Sequence, residues 1–382
     1  MNSHIPGPAA LINNCSIGGD VNQQVTHNVN FRQDPPESQK SPTPPAQVYN
    51  YCRRLSPRRL KGSLLRAFVL DVSDQVVMKS LFSAQEVETI KSAFPSMPQL
   101  EKKFLEMLDR FVDVESIRDL RCRLYGVVPR SPDACVDDRK MVEWIEQVYW
   151  NTLYLFDCEK KPLTSNHNEQ WFNSNIWSRV IDTLFLSLPS VDNLRSEVVC
   201  VATSILANSN RTDTGGPDNR RKLGPRLDGI FRMKNGDKFE VGAIEVSKSF
   251  DSTTSTKWIH DSKKLRFALR DMLLRLHDIV DTCGDDGVIE RLQTVGILNA
   301  GLKFQLVRCW AKRKGGVVLC KASELLEFPT SIEQIAHLGT LLQAMAIVKK
   351  IVEAVNKEVE QRVLQNDRPA IRRTTVPAKI DT

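Results

Sequence analysis

Two acids occupy positions that allow chemistry: Asp228, in Gly224-Pro225-Arg226-Leu227-Asp228-Gly229-Ile230-Phe231, and Glu245, in Val241-Gly242-Ala243-Ile244-Glu245-Val246-Ser247-Lys248. Each lies in a run that reads as a strand, Arg226–Met233 and Lys238–Ser247, and the turn Asn235-Gly236-Asp237 between the runs predicts an antiparallel hairpin. Side chains alternate across a strand, so Phe239, Val241, Ala243 and Glu245 share one face. Glu245 therefore points where apolar residues point, and an ionised acid in that position needs a cation or a partner. The hairpin can bring Asp228 beside it. Two adjacent carboxylates repel unless a divalent cation sits between them. The structural alternatives are an ion pair of Glu245 with Arg226 across the hairpin, and a turn or strand-end role for Asp228.

Basic residues flank the pair. Arg211, Arg220, Arg221, Lys222 and Arg226 precede or open the first strand, and Lys257, Lys263 and Lys264 follow the second. Acids that hold a metal, ringed by cations that hold a phosphate backbone, fit metal-assisted phosphodiester cleavage with Mg²⁺ or Mn²⁺. The expected partner is then nucleic acid. Other chemistries find less support: the chain has no Walker loop, GxGxxG, GxSxG or HExxH, and its 6 histidines are scattered. His260-Asp261 and His277-Asp278 are neighbours on helices, which predicts that they point apart rather than form dyads.

The elements that must position the acids follow from periodicity. A helix is predicted from Glu169 to Leu188, with Asn168 as its cap, Pro189 as its stop, and a stripe of Phe172, Ile176, Val180 and Leu184. The apolar run Val198–Ala207 reads as a buried strand, and residues 208–222 as a loop. After the hairpin comes a long helix with Trp258, Leu265, Leu269, Met272, Leu276 and Ile279 on one face. Strands at Thr294–Leu298, Phe304–Ala311 and Val317–Lys321 complete the set, the last two turning at Gly315-Gly316. Helix, three strands, helix and further strands make an α/β (α+β) unit around one mixed sheet.

In this order and in these acids the chain resembles the PD-(D/E)XK nuclease superfamily, the restriction-endonuclease-like fold. The motif of that superfamily is an Asp on one strand and Glu-x-Lys on the next, often with a helical Glu upstream. The resemblance covers about residues 168–325. It implies a divalent-metal-dependent nuclease with Asp228 and Glu245 as catalytic metal ligands, Glu169 as the helical acid and third ligand, and Lys248 as the catalytic lysine. More narrowly, Gly242–Phe250 together with Thr256–Leu265 resembles a family of early-diverging fungi, and that likeness carries no activity over. The chain departs from the motif in two ways. Pro225 does not directly precede the acid, and Lys248 stands three positions after Glu245, with Ser247 where the lysine belongs. On a regular strand Lys248 then points away from Glu245. A bulge at Ser247 would restore it, or Lys257 or Lys264 would substitute. Otherwise the protein is an inactive nuclease-fold relative that binds nucleic acid or a protein partner.

Around this core, residues 1–48 read as a disordered tail, with 7 of the chain's 19 prolines and dense Asn and Gln. Residues 49–160 read as a basic linker and helical region. The stretch 38–70 holds Lys40, Arg53, Arg54, Arg58, Arg59, Lys61 and Arg66 with no acid, enough to account for the net charge of +7. A long helix is predicted over about 330–366, capped by Thr330 with Glu333. Its stripe from Leu338 to Val363 offers a surface for a protein partner or self-association. Residues 367–382 read as a tail. The 9 cysteines form no CxxC pair and read as free thiols of a reducing compartment. With no signal-peptide core and no apolar run of membrane length, the expected setting is intracellular, nuclear or cytoplasmic, away from membranes.

Overall fold

The computed structural model describes residues 63–126, 136–209, 221–234, 239–280, 286–314 and 316–366. Expectations for residues 1–48, the basic positions up to Lys61, Arg211, Arg220, the turn 235–237, Gly315 and residues 367–382 fall outside the described residues.

Eight strands form one mixed sheet: β1 (Val69–Asp71), β2 (Val191–Val199), β3 (Arg226–Met233), β4 (Glu240–Ser247), β5 (Gln293–Ala300), β6 (Lys303–Trp310), β7 (Val318–Ala322) and β8 (Leu326–Glu327). The order is β1-β7-β6-β5-β4-β3-β2, with β8 pairing β6 off that path. The pairs β1·β7 and β4·β5 are parallel, and the other neighbours are antiparallel. Every residue of β4 is buried, as expected of a central strand covered on both faces.

Helices flank the sheet: α1 (Gln75–Leu81), α2 (Ala84–Ala93), α3 (Lys102–Asp109), α4 (Ile117–Tyr125), α5 (Val136–Asp157), α6 (Glu169–Phe172, widening to a π-helix over Asn173–Asp182 and ending with Thr183–Phe185), α7 (Val201–Asn208), α8 (Thr256–Val280), α9 (Asp286–Ile289) and α10 (Ile335–Asn366). Helix α8 joins the parallel strands β4 and β5 and lies against them. A Cβ built on Gly296 of β5 would stand 2.7 Å from the Leu269 side chain and 2.9 Å from that of Leu265, so α8 packs closely over this glycine and a larger residue would make both leucines shift. On the opposite face Phe185 of α6 stacks on Phe231 of β3 at 4.2 Å between centroids.

Several expectations are corrected. The run Val198–Ala207 is not one strand: β2 ends at Val199 and α7 begins at Val201. A short apolar run does not distinguish strand from buried helix, and a distant side chain decides it here. The Glu240 carboxylate accepts the otherwise orphaned N–H groups of Val201 (3.0 Å) and Ala202 (2.9 Å), capping α7 from another strand. Asn168 caps α6 as expected, accepting from Trp171 N–H at 2.9 Å, but most of that helix is π. Thr330 does not act with Glu333. Its N–H and hydroxyl both donate to Gln334 Oε1, at 2.9 and 3.0 Å.

Helix α10 buries Leu338, Leu342, Met345, Val348, Val352, Val355 and Val359 in the chain's own core. The stripe offered to a partner is therefore covered from within. The segment Ile332–Val363 is long and apolar enough to cross a membrane by length and composition, but 61% of its apolar window is buried inside the fold, as in a core helix. The N-terminal region shares the sheet: β1 pairs with β7, and α1 and α2 enclose a small core of Leu70, Met78, Phe82, Ile90 and Phe94 with Trp310 and Leu319. Ser83 and Glu86 form a capping box at α2. Finally, not all the cysteines are free. Cys309 and Cys320 face each other in the β6–β7 register with Cα atoms 4.3 Å apart and form a disulfide, a proximity that only the pairing of the strands creates.

Candidate active site

The β3–β4 register pairs Gly229 with Ile244 and Ile230 with Ala243. One step further along the hairpin, Asp228 comes opposite Glu245, and both point to the face covered by α8. Asp228 Oδ2 accepts the Val246 N–H at 2.7 Å, which fixes its carboxylate at the end of the ladder. Glu245 is 2% exposed. Its cation comes from α8: Lys264 Nζ lies 2.8 Å from Oε1 and donates to Oε2 at 3.0 Å. Arg226 is exposed and does not pair with Glu245 across the hairpin.

Helix α8 contributes two further groups. Asp261, 1% exposed, accepts from the Ser247 hydroxyl at 2.5 Å and pairs with Lys257 at 3.0 Å. His260 Nδ1 also reaches Asp261 Oδ1, at 3.3 Å. These sequence neighbours thus meet, contrary to expectation, because adjacent side chains can curl along the helix surface toward one carboxylate.

Two more acids act on the same group. The charges of Asp228, Asp261 and Glu197 all bear on Glu169 in the first turn of α6, and Glu197 bears on Asp228 as well. Glu197 sits in a β-bulge. Arg195 pairs with Gly229 and Val198 with Leu227, so Ser196 and Glu197 together oppose Asp228. Both bulged residues have left-handed backbones, at φ 72° and 57°, which non-glycine residues adopt at a cost.

Five carboxylates and two lysines therefore share one electrostatic environment. Burial, opposed by Lys264 and reinforced by Asp228 and Asp261, pushes Glu245 up to about 8. Burial also raises Asp228, against the Val246 N–H and Lys264 and with the help of Glu197. Glu169 rises for the same first reason, helped by Asp228. For Lys257, burial works against the charged form, but the bond to Asp261 and the charges of Asp261, Glu169 and Glu245 hold it above the ordinary lysine value.

Among the sequence-derived candidates, Asp228, Glu245 and Glu169 thus fall within one electrostatic group. Lys248 is exposed past the end of β4 and lines a cavity that contains none of these five acids. Lys264 makes the contact with Glu245 instead, one of the two substitutes the sequence offered. Asp261 was missed, although an acid on the buried stripe between Trp258 and Leu265 was a readable signal. Glu197 carried no signal, since its position depends on a left-handed bulge.

Among the described residues, no group of three or more His, Cys, Asp or Glu is spaced to hold a metal by itself. Mg²⁺ is usually bound by one or two carboxylates, with water and substrate phosphate completing its shell. The donor set of Asp228 and Glu245 fits that pattern. Both are hard oxygen ligands, and Glu245 Oε1 is buried without a hydrogen bond of good geometry. Comparison with protein-family models, curated proteins and solved structures finds no match for this chain.

Proposed function

We propose that this chain is a divalent-metal-dependent phosphodiesterase of PD-(D/E)XK type acting on DNA or RNA, with Asp228 and Glu245 as the metal-holding acids, Glu169 as an accessory acid and Lys264 as the lysine. The observation that carries the reading is the opposition of Asp228 and Glu245 on one face of the sheet with a lysine 2.8 Å from the buried glutamate. The order α6, β2, α7, β3, β4, α8, α9, β5 contains the helix, three strands, helix, strand arrangement of that superfamily, with α7 inserted between the first two strands and the short α9 before the last.

Bound at Asp228 and Glu245, Mg²⁺ or Mn²⁺ would polarise a phosphoryl oxygen and lower the pKa of water. The chain's own residues do the rest. The Val246 N–H holds one oxygen of Asp228, leaving the other to bind. Lys264 favours the ionised form of Glu245 and sets an ammonium group beside the charge that develops on the phosphate. Lys257, anchored by Asp261 with 64% of its side chain exposed, would meet the phosphate backbone.

The test is incubation of purified protein with labelled single- and double-stranded DNA and RNA, in Mn²⁺ and in chelator. The expected result is cleavage that requires Mn²⁺ and is lost in Asp228→Asn and Glu245→Gln. No cleavage, or equal cleavage by Asp228→Asn, overturns the enzyme reading. Binding without cleavage supports the inactive nuclease-fold alternative.

A further inference from the structure

A cavity of about 270 Å³ opens beside the acid group, lined by residues including Asn166, His167, Phe172, Lys248, Gly301 and Glu327. Two chain segments join it to the acids. Phe172 lies one turn after Glu169 in α6, and Lys248 lies three residues after Glu245, about 10 Å along an extended chain. The wall between them is braced: Gly301 N–H donates to Ser247 O at 2.9 Å, and the Ser247 hydroxyl donates to Asp261.

The lining combines two recognition chemistries. Lys248 is exposed and has no ion-pair partner among the described residues, whereas Lys303 on the same cavity is held by Glu327 at 2.5 Å. The same lining carries an aromatic wall. His167 stacks on Trp171 at 3.7 Å with an 8° interplanar angle and meets the edge of Phe172 at 6.0 Å. Its Nε2 is 2.8 Å from Pro162 O. A carbonyl only accepts, so that nitrogen carries the proton. Gly301 also lines the cavity, at a φ of +57° that suits glycine.

From this geometry we infer that the cavity receives one unpaired nucleotide, its base against the His167–Phe172 wall and its phosphate on Lys248, so that the substrate strand is single-stranded beside the cleaved bond. This inference rests on the phosphodiesterase reading, since it places the nucleotide next to a phosphate held at Asp228 and Glu245. Aromatic faces hold bases of any sequence, and a free cation holds the backbone. A pocket of this size accommodates a single extruded base, not a base pair still stacked in a duplex.

The test uses the full chain in chelator, so that binding is read without cleavage. The probe is a fluorescein-labelled 12-nucleotide DNA with a central 2-aminopurine, alone or annealed to its complement. The expected results are single-strand binding at least tenfold tighter than duplex binding, and a rise in 2-aminopurine fluorescence as that base leaves its neighbours. Lys248→Glu and His167→Ala should each weaken single-strand binding at least fivefold and suppress the rise, with thermal melts confirming that both variants fold. Lys102→Glu, a surface control with 90% of the side chain exposed, should do neither. Equal or tighter duplex binding, or Lys248→Glu behaving like Lys102→Glu, overturns the inference. Absent Mn²⁺-dependent cleavage with the single-strand preference intact would remove the enzyme reading alone. Mn²⁺-dependent cleavage of duplex without that preference would remove the cavity assignment alone.

Discussion

The two ends of β4 each bury a glutamate to 2% exposure, and the two are treated in opposite ways. Glu240 is saturated. It accepts from the backbone of Val201 and Ala202, from Arg232 at 3.0 Å and from the Cys200 thiol at 3.4 Å. Glu245 has one lysine and is surrounded by like charge, with Asp228 and Asp261 both raising it. The unusual backbone gathers at this second end too, in the bulge at Ser196 and Glu197 and the π-helix that follows Glu169. Removing a buried charge that is ringed by donors leaves those donors unpaired at a large cost, whereas a buried charge ringed by other acids itself costs stability and is ready for a cation.

The contrast can be broken most severely at Glu240. Glu240→Ala leaves Arg232 and the α7 N-terminus without their acceptor, so the expected loss is about 3–5 kcal/mol, read as a melting point lower by about 5 °C or more. Glu245→Gln should instead leave the melting point of the metal-free protein unchanged or raise it. Equal losses from the two variants would erase the distinction.

Next in size is a pH effect. The folded value of Glu245, about 8, lies above its ordinary 4.5, so its contribution to stability is fully present below 4.5 and is lost as pH rises through about 8. Denaturant unfolding of the metal-free protein should show lower stability at pH 9 than at pH 6, with a shallower decline in Glu245→Gln. Identical slopes in the two proteins would count against a buried, raised Glu245.

The smallest effect sharpens the contrast at the bulge. Glu197→Gly removes a side chain from a left-handed backbone at φ 57° and one negative charge from the acid group. It should stabilise the metal-free protein by about 1 kcal/mol. A loss of that size would mean that the Glu197 side chain makes contacts the backbone strain does not outweigh.

The fold was legible where periodicity was long. The β3–β4 hairpin, α8 and α10 follow directly from alternation and from helical stripes, and the face shared by Ala243 and Glu245 follows from the period of a strand. What escaped depends on contacts between distant elements. The start of α7 is set by Glu240, 39 residues after Val201. The Cys309–Cys320 disulfide needs the β6–β7 register, and a π-helix has no stripe that separates it cleanly from an α-helix. At the site, Asp228 and Glu245 could be read as a pair because they lie on two strands close in sequence, with a turn signal between them, that pair antiparallel. The position of Lys264 depended on how α8 settles on the sheet, which Gly296 permits, and Glu197 depended on a bulge that a sequence without glycine there does not announce.

The central claim, that Asp228 and Glu245 form a divalent-cation site, is tested most directly by titrating the purified protein with Mn²⁺ and following free Mn²⁺ by electron paramagnetic resonance at pH 6, 7.5 and 9. The account predicts saturable binding that tightens across this range, because the cation displaces the proton held by a Glu245 raised to about 8. Binding should be lost in Asp228→Asn and in Glu245→Gln. No saturable binding at pH 9, or the same binding in both variants as in the native protein, would contradict it.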